Sequence, residues 1–280
     1  MKPPNFTYAK PKSLSDALEL LADENQDAMP LAGGQSLMPM LNFRLAAPDT
    51  LVDLNGVEEL CGIRVDGTHV RIGAMARYAE LGASELVAEH LPLFSMALPH
   101  IAHAAVRNRG TIGGSVALAD PAAEMPALLL ALDASIRVLG SSGLRTIAAD
   151  DFFEGLYETA LETGELITEI SVPMRGAQDR FGFYELARRH GDYAMMGVAI
   201  AAAGSTAIDN CRIAFFGIGD KAVRATGAET ALRGRSVADA LDDAKMALAD
   251  LPMAGDLNAS EATKRHLSGV VLERALRDLT

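Results

Sequence analysis

The sequence predicts an α+β protein with several lobes, and three observations lead to this fold class. About half of the 280 residues are hydrophobic (49%), which is enough apolar material for more than one core. Short strand-like and helix-like segments alternate over roughly the first 173 residues. Beyond residue 181, strand-like segments come first and helix-like segments follow, an arrangement typical of an α+β lobe.

Composition and charge exclude several classes of protein. The chain has 37 acidic and 25 basic side chains and a formal net charge of -12, so it lacks the basic surface typical of nucleic-acid binding. Its two cysteines, Cys61 and Cys211, are too few for a disulfide framework or a four-cysteine cluster, and we expect both to be buried. No apolar stretch reaches the roughly 20 residues of a membrane span, and no secretory signal is visible.

The first 56 residues are expected to form a small mixed lobe. After Ser13 the apolar residues have the spacing of an amphipathic helix, which Ser13 or Ser15 can cap. Apolar strands are predicted at 27–31 and 50–54, with a short helix at 37–43 between them.

Residues 57–175 are expected to form a second subdomain. Alternating apolar and polar residues around an Asp-Gly turn predict a β-hairpin over 63–72. A second hairpin is predicted over 135–147, and a strand over 165–172. Three helices are predicted between the hairpins, at 78–90, 93–103 and 125–132, with His100 and His103 on one helix face in a packing role. The polar, glycine-rich segment 106–115 is expected to be a loop.

Residues 176–280 are expected to form a C-terminal lobe that follows a polar linker. Three successive strand-like segments predict a three-stranded antiparallel sheet, at 181–187, 196–204 and 211–217. Helices are predicted after the sheet, at 225–232, 237–251 and 261–279.

Two glycine-rich segments carry the functional signal. The first is Ala32-Gly33-Gly34-Gln35-Ser36, and the second is Thr111-Ile112-Gly113-Gly114-Ser115. Adjacent glycines leave backbone N–H groups unshielded, and N–H groups that converge at a helix start can bind phosphate. Taken alone, each segment is also typical of an ordinary strand-to-helix turn. Neither matches the G-x-G-x-x-G or P-loop pattern, so a nucleotide site here would be neither a Rossmann nor a Walker site.

Three longer segments, in this order, resemble the FAD-binding medium subunit of molybdenum hydroxylases. This is the carbon monoxide dehydrogenase type, related to the flavin domain of xanthine dehydrogenase. The segments are AGGQSLMPMLNFRLAAPDTLVDL, VRNRGTIGGSVALADPAAEMPALLLAL and LARRHGDYAMMGVAIA. The resemblance extends over essentially the whole chain. It implies the FAD-binding fold of the p-cresol methylhydroxylase and vanillyl-alcohol oxidase type, with two FAD-binding subdomains and the C-terminal lobe.

The resemblance also implies that the two glycine-rich segments hold the pyrophosphate and flavin of FAD. The expected contacts in these segments and just before the first are Pro30, Leu31, Ala32, Gly33, Gly34, Gln35, Ser36, Thr111, Ile112, Gly113, Gly114 and Ser115. We expect valine at Gly33 or Gly113 to abolish FAD binding in a chain that still folds, because a β-carbon would block the phosphate.

Four further positions are implied as contacts nearer the flavin. Glu124 occupies the position of an FAD-contacting aspartate in relatives, and Asp120 is a nearby polar candidate. Ile167 would supply an apolar contact, and Tyr193 would lie beside the isoalloxazine ring. Relatives have a lysine just before the paired arginines; here that region contains Glu185 instead.

The resemblance implies an electron-transfer subunit with no catalytic residue and no metal site of its own. Substrate would be oxidised at the molybdenum cofactor of a large subunit. Electrons would then pass through the [2Fe–2S] clusters of a small subunit to FAD on this chain, and onward to an external acceptor. The expected assembly is a dimer of heterotrimers in the cytoplasm or at the inner face of the membrane, without nucleic acid or a membrane span.

Two alternatives remain at the level of the sequence. One is a stand-alone FAD-dependent oxidoreductase of the same fold, and the other is a binding module that no longer holds FAD. The substrate of the complex stays open among CO, an aldehyde, a purine and an N-heterocycle, and so does the terminal acceptor.

Overall fold

The chain forms three lobes that follow one another along the sequence. A computed structural model describes residues 2–23 and 25–279. The N-terminal lobe is built on a three-stranded sheet, the central lobe on a five-stranded sheet and the C-terminal lobe on a four-stranded sheet. A separate two-stranded ribbon lies within the central lobe. Within the described ranges, no helix combines the length and apolar character that crossing a bilayer demands.

The N-terminal lobe is a parallel sheet with two helices. Its elements are β1, Thr7–Ala9, α1, Leu14–Leu21, β2, Ala28–Leu31, α2, Leu37–Phe43, and β3, Thr50–Asp53. The buried strand β3 lies between β1 and β2 and pairs with both in parallel. Ser13 caps α1 as predicted, because its Oγ accepts a hydrogen bond from the N–H of Asp16 at 3.1 Å. Strand β1 was not predicted, since three partly exposed residues carry no apolar pattern.

The central lobe places one strand between two hairpins. Its elements are β4, Ile63–Asp66, β5, His69–Gly73, α3, Tyr78–Ala83, α4, Glu85–His90, α5, Pro92–Ala97, α6, Ala104–Arg107, α7, Ile112–Leu118, α8, Glu124–Ala131, β6, Ser135–Gly140, β7, Gly143–Ala148, α9, Ala149–Phe152, β8, Phe153–Gly155, β9, Glu158–Thr159, and β10, Leu166–Pro173. The strand order is β4-β5-β10-β6-β7, and β10 is antiparallel to both neighbours. Both predicted hairpins and the predicted strand are therefore confirmed.

The helical region between the hairpins departs from the prediction in three places. The helix predicted over 78–90 is two helices, because Ser84 is extended and caps α4. The helix predicted over 93–103 ends at Ala97, and Ala102 has a φ of 44°, so His100 and His103 do not share a helix face. The predicted loop contains the end of α6 and the start of α7.

The C-terminal lobe is an antiparallel sheet covered by helices. Its elements are β11, Asp179–Ala187, β12, Ala194–Ala203, β13, Asn210–Phe216, β14, Val223–Arg224, α10, Thr226–Leu232, α11, Val237–Met246, and α12, Glu261–Arg277. The two-residue strand β14 pairs with β13, so the sheet has four strands rather than the predicted three.

The C-terminal sheet is apolar on both faces. Val198 packs toward the helices of its own lobe, whereas its neighbour Ala199 packs toward the central lobe, as the strand period requires. Phe183 and Phe216 stack on the central-lobe side with ring centroids 6.0 Å apart. The central and C-terminal lobes thus share one continuous core.

The two cysteines differ in their environments. Cys211 lies in the core on β13 as predicted. Cys61 is exposed, so the prediction of its burial was wrong. Its position just after the short helical turn Glu58–Leu60 leaves the side chain outside the core.

Candidate functional site

The first glycine-rich segment presents a row of free backbone N–H groups. Strand β2 ends at Leu31 and α2 begins at Leu37, so residues 32–36 form the connection between them. Among the residues that the structure describes, none accepts a hydrogen bond from the N–H groups of residues 32–36. Gly34 has a φ of 72°, a conformation that L side chains rarely adopt. Such a row of unshielded donors is suited to binding an anion with several oxygens.

A cavity of about 530 Å³ lies in front of these donors. This volume falls in the usual range for small-molecule sites, about 300–1,000 Å³. Besides residues 31–35, it is lined by aromatic, acidic, amide and basic side chains, among them Tyr8, Asp53, Asn55 and Arg109. The hydroxyl of Tyr8 donates a hydrogen bond to the Asp53 carboxylate. The cavity therefore offers donors, acceptors and one cation to a polar ligand.

The two glycine-rich segments touch one another. A β-carbon on Gly33 would lie only 2.3 Å from the carbonyl oxygen of Arg109 and 2.8 Å from the α-carbon of Gly110. A β-carbon on Gly114 would lie 3.5 Å from the β-carbon of Ala32, which is ordinary contact. The absence of a side chain at Gly33 thus permits backbone-to-backbone packing at the site.

The physical reason predicted for two of the glycines was wrong. At Gly113, as at Gly33, a β-carbon would meet backbone, in this case the carbonyl oxygen of Ala74 at 2.6 Å. A valine at either position would therefore displace neighbouring backbone, and it could not leave the fold unchanged while blocking only a phosphate.

The second glycine-rich segment differs from the first because its N–H groups from Ile112 to Ser115 are already paired. The N–H groups of Ile112 and Gly113 donate to the carbonyl oxygens of Ala76 and Ala74, at 3.0 and 2.8 Å. Gly114 donates to Oγ1 of Thr111 at 3.2 Å, which caps α7. This segment therefore offers the site a packed surface and side-chain hydroxyls rather than free amides.

Asn55 connects the two segments through hydrogen bonds. Its Nδ2 donates to the carbonyl oxygen of Ala32 at 3.0 Å, and its Oδ1 accepts from Nη2 of Arg77 at 3.1 Å. Nη1 of Arg77 in turn donates to the carbonyl oxygen of Asn108 at 2.8 Å, just before the second segment. Sequence reasoning missed Asn55 and Arg77; the one available signal was the polar pair at the end of β3, Asp53 and Asn55.

Carboxyl and phenol side chains form a cluster next to α7. Glu124 begins α8 and is 8% exposed, and its carboxyl neighbours that of Glu185 on β11. Burial raises the pKa of Glu124, and the charge of Asp120 raises it further. Burial likewise raises the pKa of Glu185, with Glu124 as the second cause. Burial raises the pKa of Tyr78, and the neighbouring Ser115 side chain opposes this rise, so Tyr78 lies between this cluster and the second segment.

Tyr193 borders the same cluster and remains 72% exposed. Desolvation raises the pKa of its hydroxyl, and the carboxyl groups of Asp120 and Glu124 raise it further, so all three lie close together. Tyr157 faces Asp120 and Tyr193 from the turn between β8 and β9, where its φ is 57°. Sequence reasoning missed Tyr157. By contrast, Ile167 is 5% exposed and belongs to the core of the central lobe.

The site contains no evident metal centre. In the described part of the chain, no three side chains of histidine, cysteine, aspartate or glutamate come together in a way that could hold a metal ion. The chemistry that these residues offer is binding, through amides and hydroxyls at one end and through acidic and aromatic side chains at the other.

Comparison with known families assigns the class of protein. Residues 4–175 match the FAD-binding domain in molybdopterin dehydrogenase, and residues 181–279 match the CO dehydrogenase flavoprotein C-terminal domain. Together the two matches cover nearly the whole chain. The fold and site thus define an FAD-binding flavoprotein.

Individual relatives narrow this class. The chain is 39% identical to the carbon monoxide dehydrogenase medium chain of Hydrogenophaga pseudoflava, over 99% of this chain and 97% of the relative. It is 38% identical to the caffeine dehydrogenase subunit beta of Pseudomonas sp. (strain CBB1), over 99% and 95%. The chain belongs to the family of FAD-binding medium subunits of molybdenum hydroxylases, and the predicted family is confirmed.

Solved structures agree with this assignment. The carbon monoxide dehydrogenase of Hydrogenophaga pseudoflava superposes with a TM-score of 0.96 at 40% identity, over 99% of this chain and 98% of that one. Quinoline 2-oxidoreductase of Pseudomonas putida 86 superposes with a TM-score of 0.93 at 37% identity, over 99% and 97%. The predicted fold class is confirmed, apart from the fourth strand of the C-terminal sheet.

Proposed function

We propose that this chain holds FAD non-covalently and relays electrons from the [2Fe–2S] clusters of a small partner subunit to an external acceptor. Substrate oxidation takes place at the molybdenum cofactor of a large partner subunit. The observation that carries the proposal is the row of free N–H groups at residues 32–36, which faces a cavity and is packed against the second segment. Bound FAD supplies a carrier that accepts electrons singly or in pairs.

Two groups of residues bind different parts of the cofactor. In the proposal, the amides of residues 32–36 bind the diphosphate, and the preceding Pro30 and Leu31 pack beside it. Residues 111–115 supply the opposing surface. Asp120, Glu124 and Tyr193 face the isoalloxazine ring, and Ile167 supports that end from the core. The cluster of Asp120, Glu124 and Tyr193 supports this orientation because Tyr78 relates it to Ser115, at the start of α7.

The proposal also specifies the domain organisation of the chain and the subunit composition of the complex. The two FAD-binding subdomains are 1–56 and 57–175, and residues 176–280 form the medium-subunit lobe. The chain works in a dimer of heterotrimers with the small and large subunits, in the cytoplasm or at the inner face of the membrane. The two isolated cysteines of this chain support the placement of the clusters on another subunit, because a [2Fe–2S] cluster held by cysteines requires four of them.

We infer that the large subunit, rather than this chain, selects the substrate. Their names include caffeine dehydrogenase, carbon monoxide dehydrogenase and nicotine 6-hydroxylase, at similar levels of identity to this chain. Because similar medium subunits serve such different substrates, this chain is not expected to choose among CO, aldehydes, purines and N-heterocycles.

Reconstitution with FAD tests the central claim. The purified chain, alone and co-expressed with its candidate large and small partner subunits, is gel-filtered after incubation with FAD. We expect flavin absorbance to co-elute with the protein and the partner subunits to co-purify with it. A chain that retains no FAD in either preparation contradicts the proposal. Substrate oxidation by the FAD-loaded chain alone would instead favour a stand-alone oxidoreductase.

A further inference from the structure

We propose that Glu124 and Glu185 share one proton and form a proton-binding carboxyl pair at the flavin end of the site. The sharing of the proton rests on the contacts within this chain. Its placement beside the flavin rests on the proposed function.

The contact between the two side chains requires a proton. Ionised carboxylates only accept hydrogen bonds, so the neighbouring carboxyl groups of Glu124 and Glu185 can be hydrogen-bonded to each other only when one of them keeps a proton. Glu124 is 8% exposed, which leaves little water to separate two negative charges. Oε2 of Glu185 is buried, and no N–H or hydroxyl donor of the described residues reaches it. A second negative charge there would be unstabilised, whereas a proton on the neighbouring Glu124 would give this oxygen a donor.

The groups around the pair oppose its full ionisation. Asp120 precedes α8 and acts on Glu124. Tyr193, just before β12, and Tyr78, on α3, also lie within electrostatic range of Glu124. All three are acidic or phenolic, and in the described part of the chain no lysine, arginine or histidine contributes to the pKa of either carboxyl. Two adjacent carboxylates without a cation are unfavourable, and retaining one proton removes the conflict.

The position of the pair gives the shared proton a functional consequence. A pair that retains a proton has one negative charge, and a pair that has lost it has two. A redox group that gains negative charge on reduction is reduced more easily beside the singly charged pair. The pair therefore tunes the reduction potential at this end of the site with pH, and Glu185 is a positioning residue that acts through Glu124.

Infrared spectroscopy of the chain without FAD tests the shared proton. We expect the wild type to show the C=O stretching band of a protonated carboxyl at neutral pH, and to lose it as the pH is raised. Glu185→Gln should lose the band at neutral pH, because the amide N–H donates to Glu124 and stabilises its carboxylate. The exposed Glu19→Gln is the matched control and should keep the band. Absence of the band from the wild type overturns the proposal even if the variant does not fold.

A second measurement tests the placement beside FAD. Midpoint potentials of the FAD-loaded wild type and Glu185→Gln are recorded against pH by spectroelectrochemistry. We expect the potential of the wild type to fall more steeply above neutral pH, because only the wild-type pair gains a second charge. Equal slopes overturn the placement, although the shared proton still stands on the infrared result. Failure to bind FAD at all would contradict the proposed function while leaving the infrared test intact.

Discussion

The carbonyl oxygen of Arg109 lies only 2.3 Å from where a β-carbon on Gly33 would be. Real non-bonded atoms do not approach so closely, so the first glycine-rich segment can pack against the residues just before the second segment only when residue 33 has no side chain. Gly33 is buried at this contact and belongs to the segment whose N–H groups are free. The contact thus fixes the position of the donors relative to the start of α7.

Gly33→Ala should disturb both the fold and the site. Overpacking of a buried contact costs typically about 1–3 kcal/mol, and we expect a loss of unfolding free energy in this range. We also expect FAD to bind about tenfold more weakly or worse, since tenfold corresponds to only about 1.4 kcal/mol. Urea unfolding and FAD titration measure the two effects.

The control for this substitution is Gly82→Ala on α3. A β-carbon at Gly82 would meet no atom within 4 Å, and alanine favours the helix, so stability should stay equal or rise. Wild-type stability and FAD affinity in Gly33→Ala would show that the loops can separate freely, contrary to the structure.

Asn55→Ala should weaken FAD binding although it leaves the backbone N–H groups of residues 32–36 in place. The substitution removes the hydrogen bonds from Asn55 to Ala32 and from Arg77 to Asn55; both bonds are exposed to solvent, so each contributes about 1 kcal/mol or less. We expect lower affinity for FAD by equilibrium titration and a modest loss of stability. Asn258→Ala, at an exposed position in the C-terminal lobe, is the control and should behave as wild type.

Thr111→Ala should destabilise the start of α7. The Oγ1 of Thr111 accepts a hydrogen bond from the N–H of Gly114, and loss of such a cap costs typically about 0.5–2 kcal/mol. Thr111→Ser retains the hydroxyl and should recover most of that free energy in urea unfolding. Equal losses in the two variants would exclude capping as the role of this side chain.

Tyr193→Ala should separate a binding role from a structural one. The side chain is 72% exposed, and surface substitutions usually change stability by less than about 0.5 kcal/mol. We nevertheless expect a changed flavin absorption spectrum and weaker FAD binding in the loaded protein. Leu257→Ala, at a fully exposed leucine in the C-terminal lobe, should change neither property. An unchanged flavin spectrum and affinity in Tyr193→Ala would argue against contact with the ring.

Stability should fall as the pH rises from the ordinary glutamate range through neutrality. The folded chain raises the pKa of Glu124 and Glu185 above their ordinary value of 4.5, so it binds more protons than the unfolded chain in this window. Unfolding free energy therefore decreases with increasing pH. Urea unfolding at several pH values should show this slope in the wild type and a flatter one in Glu185→Gln. Glu19→Gln should keep the wild-type slope; a flat wild-type curve would contradict the prediction.

Local features of the fold could be predicted because they depend on neighbouring residues. The hairpin turn at Asp66-Gly67 and the cap at Ser13 follow from the chemistry of a few adjacent positions, and the structure has both. Strand β14 was missed because two residues are too few to show the alternation of apolar and polar side chains that identifies a strand. The break at Ser84 was missed because the apolar spacing continues on either side of it.

From the sequence, only those parts of the candidate site that lie within one continuous segment could be predicted. Glycine-rich sequences reveal the segments themselves, but they do not show that β-carbons at Gly33 and Gly113 would meet backbone from distant parts of the chain. Asn55, Arg77 and Tyr157 were missed for the same reason, since tertiary contacts assemble them from separate elements. Whether the predicted contacts bind FAD stays a prediction for the experiments above.

The placement of β10 has a consequence for how the chain acquires its structure during synthesis. This strand is the last of the central sheet to be made, yet it lies between two hairpins made earlier. Its Thr168 carbonyl accepts a hydrogen bond from the N–H of Ala74, and the Ala74 carbonyl accepts one from Gly113. A nascent chain must close a long loop before these bonds form, which is slow relative to local folding. The start of α7 is therefore secured only after residue 168 has left the ribosome, and cofactor capture must follow that event.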